Sequence, residues 1–202
     1  MRERPILFSA PMVRAILAGT KTQTRRVVKP AKDRDIGCAL APCELAGEIN
    51  RGEYRNSWYG KIGDRLWVRE THLNSWRINP EDPTGPRVFS HVAAFAADGH
   101  ELSPGEKWIP SIHMLRAASR ITLEITGVRV ERLQQITAAD ARAEGILARG
   151  CLSCSEPEPC GCSSPHSSSL DDFRSLWLDI NGPRSWNANP WVWVVEFRRV
   201  EA

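Results

Sequence analysis

The apolar pattern of the first thirty residues predicts a strand, a short helix and a second extended segment. Residues 6–8 form a short apolar run, which predicts a buried strand. Apolar side chains then recur at helical spacing between a candidate N-cap, Ser9, and a helix-stopping Gly19: Met12, Val13, Ile16 and Leu17. Residues 20–28 are rich in threonine and valine and are predicted to be extended.

Alternation of apolar and polar residues predicts four further strands. They cover residues 65–70, 88–97, 119–133 and 191–200, and the third is predicted to bend at Gly127. The last strand is predicted to be apolar on both faces, with Trp191, Trp193, Val195 and Phe197 opposite Val192 and Val194.

Two further helices are predicted in the second half of the chain. Residues 137–149 are predicted to be helical because Thr137 is a good N-cap and Asp140 completes a near capping box. Residues 170–180 also have a helical apolar face. The remaining stretches are predicted to be loops: 29–62, 74–87 and the Cys/Ser/Pro/Gly-rich segment 150–168. Strands predominate without a βαβ alternation, so the expected fold is α+β or a small barrel.

The composition is that of one globular domain with insertions. The chain has 202 residues, of which 42% are hydrophobic, and 27 Lys and Arg stand against 24 Asp and Glu. No signal peptide and no apolar run of membrane-spanning length is present, so a cytoplasmic protein without a membrane partner is expected. Most of the eight tryptophans are expected in the core, and one or two are candidates to stack on a base.

Lys21 and Thr24 directly follow the glycine that ends the first helix. A lysine and a hydroxyl three residues apart are a candidate base and nucleophile, and the charges of Arg25 and Arg26 are expected to lower the pKa of Lys21. The alternative is a solvated basic turn, which spacing alone favours. Because alternation in a strand places Lys21 and Thr24 on opposite faces, a turn or bulge near Thr22 is predicted.

Residues 16–24, which read I-L-A-G-T-K-T-Q-T, resemble the ASCH superfamily. Its signature is G-x-K-x-x-E-x-R, which Gly19, Lys21 and Arg26 match, whereas Thr24 stands in place of the glutamate. This departure resembles the small bacterial N4-acetylcytidine amidohydrolases, which carry I-L-A-G-x-K-T-x-T. The resemblance implies a PUA-like fold, a small curved β-barrel with flanking helices. Over its whole length the chain is more similar to prophage-encoded ASCH-like proteins, through runs such as P-I-L-F-S-A-P-M-V.

The resemblance also implies an activity and a catalytic set. Lys21 corresponds to the base, Thr24 to the nucleophile and Glu144, counted from the Thr137 cap, to the acid. The implied substrate is an acylated cytosine nucleoside or base, and catalysis needs no cofactor. The alternative from another class is a PUA-like module that binds RNA or a modified nucleobase, and a ribonuclease is a third option. Insertions at about 29–62 and 74–118 are absent from the small amidohydrolases and are expected to reshape the pocket.

Five further residues are candidates for substrate binding. For His113, a lone histidine, a structural role is the alternative. Phe8 and Ser9 lie at a strand-to-helix junction, where core packing is the alternative for Phe8. Glu70 ends an apolar strand, where a salt bridge is an equal alternative. The set is Phe8, Ser9, Arg26, Glu70 and His113.

Four cysteines within twelve residues form a candidate zinc site. They are Cys151, Cys154, Cys160 and Cys162, with His166 just beyond. Zinc in structural sites takes four tetrahedral nitrogen or sulfur ligands, and thiols stay reduced in the cytoplasm. A structural zinc is therefore predicted in preference to a disordered loop, and a catalytic zinc is not expected because four ligands close the metal's shell.

Overall fold

A computed structural model describes residues 1–146 and 168–200, which fold into an α+β domain. The elements follow in the order β1 (Glu3–Leu7), α1 (Ala10–Leu17), β2 (Gln23–Val27), β3 (Ala31–Lys32), β4 (Ala39–Leu40), α2 (Pro42–Asn50), β5 (Arg65–Arg69), β6 (His72–Arg77), β7 (Val88–Phe95), β8 (Thr122–Arg132), α3 (Ala138–Ala143), α4 (Ser169–Asn181) and β9 (Trp191–Val200). None of the helices within the described residues has the length and apolar character needed to cross a bilayer.

Five strands form the central sheet, in the order β1-β5-β8-β9-β2. The outer pair β1 and β5 is parallel, and the other neighbours are antiparallel. The long strand β8 changes register against β9 between Ile125 and Gly127, which confirms the predicted bend. A Cβ at Gly127 would lie 2.6 Å from a carboxylate oxygen of Glu196, so a side chain there would clash at the bulge. Two small hairpins, β3–β4 and β6–β7, stand apart from this sheet.

Strand β9 separates two apolar layers, as its sequence predicts. Trp193, Val195 and Phe197 pack in the main core with α1, α2 and strands β5 and β8. Val192 and Val194 face a second cluster formed with α3 and α4. A β-strand sends successive side chains to opposite faces, so two buried faces require helices on both sides of β9.

The two edge strands of the central sheet approach each other. Arg26 on β2 donates a hydrogen bond from Nη2 to the carbonyl oxygen of Leu7, the last residue of β1, at 2.9 Å. These strands lie at opposite ends of the strand order. The sheet is therefore strongly curled, which brings the end of β1 next to β2.

Three predicted boundaries need correction. The predicted loop 29–62 contains helix α2, because Leu45, Ala46 and Ile49 recur at helical spacing and are buried in the main core. The predicted loop 74–87 begins within β6, which pairs with β7 as far as Arg77. Helix α3 ends at Ala143, six residues before the predicted end at residue 149.

Candidate functional site

Lys21 is buried at the junction of α1, β2 and α3. Its residue surface is 2% exposed, and its Nζ donates to the carbonyl oxygens of Gln23 and Glu144 and to Oε2 of Glu144, each at 2.8 Å. An ammonium has three N–H donors. All three donors of Lys21 are therefore satisfied inside the protein.

Glu144 reaches Lys21 because helix α3 stops where it does. The Thr137 side chain caps the helix by accepting from the backbone N–H of Asp140, and Glu144 is the C-cap. Gly145 then adopts a φ of 88°, which favours glycine. A Cβ at Gly145 would lie 3.1 Å from the Cβ atoms of both Ala15 and Lys21. Glycine therefore allows the end of α3 to approach Lys21 closely.

Burial lowers the pKa of Lys21 below the usual value for a lysine. Desolvation is the largest cause, and the positive charges of Arg26 and Arg25 lower the pKa further. The carboxylate of Glu144 acts in the opposite direction, through its charge and its hydrogen bond. The lowering agrees with the sequence-based prediction, but its main cause is desolvation, because the sequence does not show how deeply Lys21 is buried.

Thr24 is fully buried and contacts a different cation. Its Oγ1 accepts a hydrogen bond from Nη1 of Arg26 at 3.0 Å. The cation of each pair, Arg26 or Lys21, lies over the ring of Phe8. The Nζ of Lys21 lies 5.8 Å from its centroid, and the Cζ of Arg26 lies 5.4 Å away. Within the described residues, no hydrogen bond links Thr24 directly to Lys21 or Glu144.

The backbone between Lys21 and Thr24 differs from its prediction. A turn was predicted near Thr22, but the pairing with β9 continues through this residue, whose carbonyl oxygen accepts from the N–H of Phe197. Thr22 N–H donates to Ala143 O, which ties β2 to α3. The long side chain of Lys21, rather than a backbone turn, brings its ammonium group towards the Phe8 ring.

A network of charged side chains surrounds the Lys21–Glu144 pair. Local sequence patterns did not predict this network. Arg25 is 2% exposed and lies 2.8 Å from Glu131, 3.3 Å from Asp140 and 3.4 Å from Glu144. Arg129 contacts Glu131 and Asp140 from the other side, at 2.9 and 2.8 Å. The signal available in the sequence was the alternation of charged residues with valines in β8.

We expect Arg25→Met to destabilise the fold by about 3 kcal/mol, because it leaves one buried and two partly buried carboxylates without their shared cation. This loss is at the low end of the usual range for breaking a buried ion pair, because Arg129 still contacts Glu131 and Asp140. Urea unfolding measures the loss. Arg198→Met is the matched control, since the side chain of Arg198 is 69% exposed and pairs with Glu124. Equal losses in the two variants would contradict a special role for the buried network.

The carboxyl group of Asp140 makes the free energy of unfolding depend on pH in the acid range. Burial opposes its ionised form, but hydrogen bonds from Thr137 and the charge of Arg25 outweigh burial and lower its pKa from 3.8 to about 2. A depressed carboxyl pKa stabilises the fold above the unfolded value and loses that effect as pH falls. We expect unfolding free energy to fall more between pH 3.8 and pH 2 in the wild type than in Asp140→Asn. Parallel pH profiles of the two proteins would exclude this contribution.

The other three substrate-binding candidates are Ser9, Glu70 and His113. Ser9 is exposed, and its carbonyl oxygen accepts from Val13 N–H at the start of α1. Glu70 is 1% exposed and forms two 3.0 Å hydrogen bonds with Arg120, which is the salt-bridge alternative. His113 is exposed in a short 3₁₀ turn. Of the five candidates, Phe8 and Arg26 are the ones that contact the Lys21 and Thr24 pairs.

Two concavities lie near this region, and neither is lined by Lys21, Thr24 or Glu144. The smaller, of about 300 Å³, is lined by Thr22, Gln23 and Ala143, next to the Lys21–Glu144 pair. The larger, of about 700 Å³, lies at the start of β1 and β5. The candidate catalytic groups therefore form a closed cluster in this conformation.

The zinc prediction stays a prediction. Cys151, Cys154, Cys160 and Cys162 lie outside the described residues. Within residues 1–146 and 168–200, no group of three or more His, Cys, Asp or Glu side chains is arranged to hold a metal. We expect one zinc per chain in the purified protein, and elemental analysis measures it.

Comparison of the chain with models of known protein families, with curated proteins and with solved structures gives no match.

Proposed function

We propose that this chain is an ASCH-superfamily protein with a PUA-like fold, and that it hydrolyses the amide that joins an acyl group to N4 of cytosine. Two features support the family proposal. The sheet curls until Arg26 links the two edge strands, which suits a small curved barrel. The residues of the G-x-K motif also lie between the end of α1 and the start of β2, which is the edge strand opposite β1.

The observation that carries the activity is the buried contact between Lys21 and Glu144, at 2.8 Å. One proton passes between the two groups across this contact in the proposed scheme. When that proton lies on Glu144, Lys21 is a free amine that accepts a proton and Glu144 is an acid that donates one. Burial, which lowers the pKa of Lys21, favours this distribution. Amide hydrolysis needs both roles.

Thr24 supplies the nucleophile in this scheme. Once the site opens to substrate, the hydroxyl oxygen attacks the acyl carbon while its proton passes to Lys21, which has no direct hydrogen bond with Thr24 in the closed conformation of the described residues. Arg26 donates to Oγ1 and stabilises the negative charge that develops there as the proton leaves. Glu144 gives its proton to N4 as the C–N bond breaks, so cytosine leaves with a neutral amino group. Lys21 then returns its proton to Glu144 across their 2.8 Å hydrogen bond. Water then hydrolyses the acyl-threonine ester, which releases the carboxylic acid and restores the Thr24 hydroxyl.

The test is incubation of the purified protein with N4-acetylcytidine, with the absorbance change to cytidine as the measurement. We expect turnover that a metal chelator does not abolish, since the scheme uses no metal. The acylated base and an acylated oligonucleotide, assayed in parallel, report the preferred form of the substrate. Absence of hydrolysis for all three forms would overturn the proposed activity.

A binding module without chemistry is the second candidate, and one observation favours it. The side chain of Lys21 is wholly inaccessible, and its three donors are satisfied by protein oxygens. A lysine held this way has a structural role unless the site opens. Tight binding of RNA or of a modified nucleobase without turnover would favour this function, whereas cleavage of an RNA strand would favour the ribonuclease.

A further inference from the structure

The larger concavity is strongly basic and lies outside the proposed catalytic cluster. Its volume is about 700 Å³, and five cationic side chains line it. We call it the basic concavity, defined by Arg2, Arg4, Arg34, Arg55 and Lys61. Arg2 and Arg4 belong to the first strand region, and the other three cations come from residues 29–62. The insertion expected from the sequence therefore builds most of this surface.

The insertion is held in place by a buried amide. Asn56 is 8% exposed, and its Nδ2 donates to the carboxylates of Asp33 and Glu48, each at 2.9 Å. Its Oδ1 accepts from the backbone N–H of Arg34 at 3.0 Å. These bonds fix the backbone that carries Arg34 and Arg55, so the basic concavity is preorganised rather than a chance approach of mobile side chains.

Two arginines of the basic concavity donate hydrogen bonds to backbone carbonyl groups. Because a carbonyl group is neutral, it does not compensate the charge of the arginine. Arg4 donates from Nη1 to the carbonyl oxygen of Trp58, and Arg34 donates to that of Arg55 at 2.8 Å. Burial lowers the pKa of Arg4, and the charges of Arg34 and Arg2 lower it further. The like charges in the basic concavity are thus close enough to repel one another, and an anion would relieve that repulsion.

Few carboxylates are available to neutralise these cations. Asp64 accepts from the backbone N–H groups of Arg2 and Lys61, at 2.8 and 3.2 Å. Asp35 pairs with Arg55. Within the described residues, the side chains of Arg2, Arg4, Arg34 and Lys61 form no salt bridge, so no direct carboxylate contact neutralises their charge.

We propose that the basic concavity binds the phosphodiester backbone of a single-stranded nucleic acid. Four separated cations suit several phosphates along a strand better than one free anion. Trp58 comes two residues before Gly60, which lines the concavity, and it is 68% exposed. An exposed aromatic ring beside a basic groove offers a stacking surface for an unpaired base. A flat bilayer suits this arrangement less well, because the cations line a hollow.

Strand β1 connects the basic concavity to the proposed catalytic cluster. Arg4 lines the concavity, and Leu7, three residues later, accepts the hydrogen bond from Arg26. Three residues of strand span roughly 10 Å at ~3.3 Å per residue. The basic concavity and the Leu7 carbonyl that binds Arg26 therefore lie at the two ends of one short strand. The binding proposal itself does not depend on amide hydrolysis.

The test is fluorescence anisotropy with a labelled, mixed-sequence single-stranded RNA of about 12 nucleotides, a length within the site sizes of single-strand-binding domains. We expect Arg2→Gln with Lys61→Gln to weaken binding about tenfold or more at moderate salt. Two lost phosphate contacts should reduce the slope of log K against log salt by roughly 1.4. Arg77→Gln with Lys107→Gln removes the same charge from exposed residues elsewhere and is the control.

A second pair of variants tests the stacking surface. Trp58→Ala is expected to weaken RNA binding about fivefold or more, as loss of one stacked base does. Trp76→Ala is the control, because Trp76 is 50% exposed but lies on the β6–β7 hairpin. Thermal unfolding of each variant shows that the fold persists.

Three results would overturn the proposal. One is an equal loss in the control pairs, which indicates non-specific attraction to net charge. Another is full competition by inorganic phosphate or a mononucleotide at the concentration of RNA sites, which indicates a site for a single phosphate. The third is binding to anionic vesicles without binding to RNA. Repeating the anisotropy with Thr24→Val keeps the outcome separate from that of the hydrolysis assay.

Discussion

Thr24→Val is expected to abolish measurable turnover of N4-acetylcytidine while the protein remains folded. Valine has nearly the shape of threonine and suits a fully buried strand position, but it lacks the hydroxyl proposed to attack the acyl carbon. Arg26 keeps its hydrogen bonds to Leu7 O and Arg25 O, so its position is preserved. Loss of a nucleophile lowers kcat by on the order of 10³-fold or more. Steady-state absorbance assays and urea unfolding measure the two properties.

Thr24→Ser is the matched control, because it keeps the hydroxyl and removes one methyl group. We expect it to retain activity within about tenfold of the wild type, since the methyl contributes only packing. Near-normal turnover by Thr24→Val would show that water attacks the acyl carbon. The role of Lys21 as base would then apply to that water, and the role assigned to Thr24 would be wrong.

Glu144→Gln is expected to lower kcat by ~10²–10⁴-fold, the usual effect of removing a positioned acid or base. Glutamine keeps the shape and still accepts a hydrogen bond from Lys21, but it delivers no proton to N4 at neutral pH. Loss of the Glu144 charge also removes the main effect that raises the pKa of Lys21, so that pKa falls further. The pH profile of kcat should change together with its magnitude.

Glu131→Gln separates proton transfer from general support of the charge network. Glu131 contacts Arg25 at 2.8 Å, as Glu144 does at 3.4 Å, but its carboxylate pairs with arginines rather than with Lys21. We expect Glu131→Gln to keep kcat within a few-fold of the wild type and to leave its pH profile unchanged. Equal losses in the two variants would mean that Glu144 acts by holding Arg25 and not by moving a proton.

Local patterns in the sequence were sufficient for features that depend on near neighbours. The N-caps at Ser9 and Thr137 and the bend at Gly127 follow from a few adjacent residues. The two apolar faces of β9 follow from strict alternation. Helix α2 was missed because glycine and proline punctuation outweighed the apolar spacing of Leu45, Ala46 and Ile49, whose burial depends on distant strands.

The sequence by itself determined the α+β class and most of the strands, and its family resemblance suggested the candidate set of Lys21, Thr24 and Glu144. Only the tertiary structure decided which of these groups touch: it joins Lys21 to Glu144 across 123 positions and couples Thr24 to Arg26 instead. It also gathered Arg2 and Arg4 with cations from residues 29–62, which lie thirty or more positions away in the sequence. Sequence patterns report the local side-chain period, whereas charge pairing and desolvation depend on how distant segments pack.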